Sequence, residues 1–115
     1  MYYYAMTNLN EPKIQKLFRA MLALKTTGEA ADFCRDLMTL PEITEFADRL
    51  EIAQKLSEGN PQRKVAAQTG VSIATVTRVN QWLRRGMGGY TLILNRLNST
   101  KKISHHKQLK LASGS

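Results

Sequence analysis

The chain has 115 residues, with 17 Lys and Arg against 9 Asp and Glu and 43% hydrophobic residues, a length that accommodates one small domain and leaves no room for a second of full size. Residues 1–58 hold all nine acids and seven bases, a net charge of −2, while residues 59–115 hold ten bases and no acid, a net charge of +10. This split excludes a uniformly basic solubility surface and points to one face built to meet a polyanion, with nucleic acid ahead of an anionic membrane.

No apolar run approaches the roughly 18 residues that a membrane span needs, because Arg19 and Lys25 interrupt the longest helix-like stretch. A soluble chain is expected, with no membrane partner. The opening Met1-Tyr2-Tyr3-Tyr4 lacks the basic and apolar regions of a signal peptide. Cys34 is the lone cysteine, so neither an internal disulfide nor a cysteine-rich zinc site can form, which fits a reducing cytoplasm.

The periodicity is helical throughout, and no segment shows the alternation and turn bracketing of a strand. An all-α fold follows. Residues 1–10 read as an N-terminal arm and residues 11–97 as the helical domain. The first helix is expected from Glu11 to Leu24, with Pro12 in its first turn and Ile14, Leu17, Phe18, Met21 and Leu22 on one stripe. A second begins at Thr26-Thr27-Gly28-Glu29, which has capping-box spacing, and repeats Ala30, Phe33, Cys34, Leu37 and Met38. Cys34 is expected in the core.

A third helix begins at Thr39-Leu40-Pro41-Glu42, again with capping-box spacing. It is expected to bury Ile43, Phe46, Ala47, Leu50, Ala53 and Leu56 and to stop at Gly59, with Glu42, Glu45 and Asp48 facing away. These stripes exceed what so small an interior can use, and the surplus predicts a helical dimer.

Residues 60–85 carry the functional signal, a helix-turn-helix pattern. Asn60 reads as a cap with Pro61 at the first helical position, and Ser72 caps the next helix. Ala66 is small where two helices cross, and Gly70 supplies the positive φ that a three-residue turn needs. On the second helix Ile73, Val76, Val79 and Leu83 are expected inward, leaving Ala74, Thr75, Thr77, Arg78 and Gln81 outward with no negative charge among them.

Such a helix fits the major groove, with its N-terminal residues at base edges and the preceding helix on the backbone. Gln62, Arg63 and Lys64 are placed for phosphates, and Ser72 with its neighbouring amides for a further one. Ala74 with Thr75 or Thr77 suits thymine methyl groups, and Arg78 a guanine or a phosphate. Trp82 reads as packing or as DNA stacking. Arg49 has Glu45 one turn earlier as an ion-pair partner.

After the Gly86-Met87-Gly88-Gly89 joint a last short helix, Tyr90 to Leu97, aligns Tyr90, Ile93, Leu94 and Leu97. Residues 98–115 read as a disordered basic tail. Lys101, Lys102, Lys107 and Lys110 either add nonspecific DNA affinity or solubilise, and the adjacent His105 and His106 lack the fixed geometry of a metal site.

Arg49-Leu50-Glu51-Ile52, Gln62-Arg63 and Gly70-Val71-Ser72-Ile73-Ala74-Thr75-Val76-Thr77-Arg78 resemble the Trp repressor superfamily over roughly residues 12 to 97. Arg78-Val79-Asn80 and Gly88-Gly89-Tyr90 resemble its YerC/YecD-type, TrpR-related branch more than the tryptophan-sensing repressor. The resemblance implies about six helices in an intertwined homodimer that reads two DNA half-sites. The DNA contacts it implies fall on Gln62, Arg63, Ile73, Ala74, Thr75, Thr77 and Arg78.

The same resemblance places an effector-binding set at Arg49, Thr75 and Arg78, where two arginines and a threonine would hold L-tryptophan. Val79 stands where that family keeps a small residue for the indole to pass, Trp82 replaces a small serine, and Leu40 replaces a threonine. These changes fill the pocket, so L-tryptophan is not expected to act as a strong corepressor and no cofactor is required. The implied setting is the bacterial cytoplasm.

The competing classes are an enzyme and an adaptor. No nucleophile with a base, paired carboxylates or metal cluster stands out, and Gly86-Met87-Gly88-Gly89 lacks the Lys-Ser/Thr of a phosphate loop. The leading expectation is a regulator, a repressor by resemblance, that binds double-stranded DNA. A tryptophan-dependent repressor and a helical adaptor for RNA or protein are the alternatives.

Overall fold

Capping chemistry fixes where the first helices start. In the computed structural model, residues 8–100 are described, and among them lie six helices and no strand. Helix α1 spans Pro12–Ala23, with proline in its first turn, where the missing N–H has no intrahelical acceptor to lose. Helix α2 spans Thr27–Leu37 behind Thr26, whose Oγ1 accepts the Glu29 amide at 3.1 Å. The Glu29 carboxylate turns back to the Lys25 amide at 3.0 Å.

Helix α3 spans Leu40–Ser57. Its capping box is reciprocal: the Glu42 amide donates to Thr39 Oγ1 at 3.2 Å, and the Thr39 amide donates to Glu42 Oε1 at 2.9 Å. The hydrogen bonds from the Thr39 amide and then its hydroxyl hold the Glu42 carboxyl below its ordinary range.

The chain divides into two compact units between Ile43 and Thr44. In the first, the described residues include none that is fully buried: Ile14, Leu17, Phe33, Cys34 and Ile43 are half-buried, while Phe18, Met21 and Leu22 lie exposed. The expected stripe on α1 is therefore only partly covered. The expected core position of Cys34 is half-covered.

The second unit holds the core. Ile52, Ala53 and Leu56 of α3 meet Val65 of α4 (Gln62–Thr69), Val76, Val79 and Leu83 of α5 (Ile73–Arg85), and Leu94 of α6 (residues 89–100). Ala66, Val71 and Tyr90 close its margin. The buried face of α3 thus runs through Ile52, which the stripe reading missed. Phe46 is 46% exposed, and Ala47 and Leu50 are exposed as well. Periodicity gave Ala53 and Leu56 correctly, but it cannot tell how far along a helix its neighbours extend.

Three further expectations shift. Pro61 is itself the N-cap of α4, and Asn60 instead donates through Nδ2 to the Lys55 carbonyl at 2.9 Å, closing the end of α3. Ile73 is 48% exposed rather than inward. As the first residue of α5 its side chain leans back past the helix tip, where no preceding turn covers it. The last helix continues through residue 100, beyond the expected Leu97, and of its stripe Leu94 is buried and Tyr90 half-buried while Ile93 and Leu97 are exposed. The lysines and histidines expected in the tail, and most of the N-terminal arm, lie outside the described residues.

Gly70 closes α4 at φ +73°, where an added Cβ meets open space, so Gly70→Ala is expected to cost about 1–2 kcal/mol through backbone strain alone, with Gly70→Asn costing less, both read by thermal denaturation. Because the folded Glu42 carboxyl titrates below its unfolded value, its cap stabilises α3 fully above the ordinary carboxylate range and loses that contribution as pH falls through the lowered value. An NMR titration should show the Glu42 midpoint rise in Thr39→Ala.

Candidate nucleic-acid interface

The interface is built on the α4–turn–α5 unit. Val65, Val76 and Val79 have no solvent exposure, so the two helices are pinned against each other by branched side chains with few rotamers to choose from. The turn between them is closed by short bonds: the Gly70 amide donates to the Ala66 carbonyl at 3.0 Å, and the Val71 amide to Thr69 Oγ1 at 3.3 Å. Thr69 Oγ1 in turn donates to the Val65 carbonyl at 2.8 Å. The C-terminal half of α5 is tied to α3 by Arg84, which donates to the Leu56 carbonyl at 3.3 Å.

Ser72 caps α5 as expected. Its Oγ accepts the Thr75 amide at 3.2 Å and donates to Thr75 Oγ1 at 3.0 Å, so its proton is committed inside the helix. The amides of Ile73 and Ala74 are left as the outward donors of the first turn. Ala74, Thr77, Arg78 and Gln81 are exposed and Thr75 is half-buried, while Arg63 and Lys64 lie exposed on α4. Neither α4 nor α5 carries an acid.

A cross-helix bond, absent from the sequence reading, joins two of the expected contact residues. Thr77 Oγ1 donates to Gln62 Oε1 at 2.8 Å across fifteen positions of sequence.

The expected effector residues separate into two groups. Thr75 and Arg78 are three apart on α5, and Trp82 lies one turn further on the same face. Arg49, on α3, reaches that face through Trp82: its guanidinium carbon stands 5.7 Å from the Trp82 ring centroid and 5.6 Å from that of Phe46. Arg49 also forms the ion pair with Glu45, at 2.8 Å. Its Nε is buried and makes no hydrogen bond among the described residues.

Phe46 was missed as a partner of Arg49, although their spacing of three places them on one helical face. Trp82 is 46% exposed, so its ring packs on one side and remains open on the other. Beside it lies an open apolar depression of about 480 Å³ between Leu50, Trp82, Met87, Tyr90 and Ile93, with Gly86 and Gly89 in its wall. Burial pushes the Tyr90 phenol above its ordinary value, and the Arg49 charge partly offsets that rise. Gly86 admits no side chain, because a Cβ there would strike the Trp82 carbonyl.

Comparison with known proteins decides the family. Residues 12–98 match the Trp repressor protein family, and YerC of Bacillus subtilis is 38% identical over 99 residues, covering 86% of this chain and 95% of its own. The chain belongs to the Trp repressor family. A TrpR-like protein from Eubacterium eligens superposes with a TM-score of 0.75 at 39% identity, covering 78% of this chain and 93% of that one. A Staphylococcus aureus chain gives 0.74 at 34% identity, covering 78% and 90%. The resemblance drawn from the motifs therefore stands, down to the YerC relative. The Trp repressor family is one of DNA-binding regulators rather than of enzymes, and among the described helices none is long and apolar enough to cross a membrane.

Proposed function

We propose that this Trp repressor family member is a sequence-specific transcriptional regulator, a repressor by type, that binds a palindromic operator as a homodimer through the major groove. The observation that carries the proposal is the acid-free outer surface of α5, held rigidly by Val65, Val76 and Val79. Ala74, Thr75, Thr77 and Arg78 face base edges, while Gln62, Arg63 and Lys64, with the first-turn amides of α5 beside Ser72 and Ile73, face phosphates.

A dimer is supported by what one chain leaves uncovered. Phe18, Met21, Leu22, Leu37 and Leu40 in the first unit, and Leu92, Ile93 and Leu97 in the second, are all exposed, and large apolar side chains grouped on helices in this way are what a protein partner covers. Two copies place two α5 helices on half-sites about one helical turn apart, the spacing known for this family.

Regulation by L-tryptophan is the reading the side chains disfavour. Arg49, Thr75 and Arg78 are all present, but the protein's own indole at Trp82 already lies against Arg49. DNA binding is therefore expected without an effector.

Binding titrations on duplexes at several salt concentrations test the assignment, since phosphate neutralisation predicts a steep fall of affinity with salt. Arg78→Ala is expected to cost about 1–3 kcal/mol and to relax preference at one base pair, while Lys64→Ala weakens all sequences alike and flattens the salt slope by about one. Equal affinity for every duplex would rule out sequence-specific regulation and leave an adaptor for RNA or protein. Calorimetry is expected to show no saturable micromolar binding of L-tryptophan. Such binding, with sharpened operator affinity, would establish a tryptophan-dependent repressor instead.

A further inference from the structure

The bond between Thr77 and Gln62 gives each of these residues a role that neither has alone. Thr77 is exposed on α5 and Gln62 is the half-buried first residue of α4, and the hydroxyl of the first donates to Oε1 of the second at 2.8 Å. A glutamine amide has one accepting and one donating end. With Oε1 occupied, Gln62 is turned so that Nε2, which carries only protons to donate, is the end left free. Phosphodiester oxygens only accept, so an amide held in this sense is ready for a phosphate before DNA arrives, without the entropy of selecting its rotamer on binding.

The consequence for Thr77 is the reverse. Its single hydroxyl proton is spent within the protein, so it presents to the groove a methyl group and an oxygen that can only accept. We infer that Thr77 is a positioning residue that sets Gln62 as a phosphate donor, rather than a reader of bases through its hydroxyl proton. The inference rests on the DNA-binding reading above and deepens it.

The bond also ties the two helices together at the ends that meet the duplex. Gln62 begins α4, Thr77 stands one turn into α5, and the valines close the joint beneath them. Register between the phosphate-facing and base-facing elements is thereby fixed by one polar contact above an apolar floor.

The test uses the full chain and three variants. Thr77→Val keeps the shape and the methyl group but removes the hydroxyl, Thr77→Ser keeps the hydroxyl and removes the methyl, and Gln62→Met removes the amide at similar length. In the free protein, NMR relaxation should show the Gln62 side-chain amide ordered in the wild type and in Thr77→Ser, and mobile in Thr77→Val. On DNA, Thr77→Val should bind operator and random duplexes alike about three- to tenfold more weakly, the loss of one hydrogen bond, with no further loss when added to Gln62→Met. Thr77→Ser should restore the affinity for random duplexes.

An amide equally mobile in the wild type and Thr77→Val overturns the inference, as does a Thr77→Val loss confined to one base pair or undiminished in the Gln62→Met background. Either outcome leaves DNA binding itself intact. If the wild type binds no duplex at any salt concentration, the functional reading falls together with the inference.

Discussion

The contact of Val65 with Val76 and Val79 is the constraint on which the second unit depends. These three side chains reach full burial in a core that counts eight buried residues among those described, so the angle between α4 and α5 is set by the packing of stiff, branched groups rather than by the turn alone. The turn is permissive, since Gly70 adopts its positive φ at a place where even an added Cβ would meet open space. What the valines decide is which face of α5 remains outside. Every polar group on that face, and the Thr77 bond to Gln62, inherits its position from the joint beneath.

That core is small for the apolar content of the chain, and the imbalance is unevenly distributed. The four-helix cluster around Ile52 and Val76 is closed, whereas α1, α2 and the outer line of α6 keep large side chains in water. The apolar side chains left in water at the periphery are those the proposed homodimer would cover, and they belong to the helical stripes whose surplus the sequence shows. The approach of Arg49 to the Phe46 and Trp82 rings is a second, smaller cluster in this unit. The Arg49 cation has two aromatic rings of its own chain within 6 Å, one on α3 and one on α5.

The local features of this fold were legible because local chemistry determines them. The Thr39–Glu42 capping box, the Thr26 and Ser72 caps, the stop at Gly70 and the burial of Val76, Val79 and Leu83 follow from spacing and residue type, whereas Glu29 reaches the Lys25 amide instead of that of Thr26. Features that depend on where a neighbouring helix ends were not legible: Ile52 replaced Phe46 and Leu50 as the core line of α3, and Ile73 lay beyond its cover. Asn60 was one residue from its expected role, closing α3 instead of opening α4, because either end can use its amide. Of the interface, the outward set on α5 was readable from periodicity, and Arg49 with Glu45 from a spacing of four. The Thr77–Gln62 pairing was not, since its two partners meet only once the helices have crossed.

The absence of acids after Glu58 has a chemical consequence beyond attraction. From Gly59 to Thr100 the ionisable side chains other than tyrosine are Arg63, Lys64, Arg78, Arg84, Arg85 and Arg96, with neither a carboxylate nor a histidine among them. No carboxylate within this stretch can neutralise its six cations, so their counter-charge is drawn from outside it. Dissolved anions and the phosphates of a polyanion would compete for the same positions, which makes the salt around the protein part of its binding chemistry.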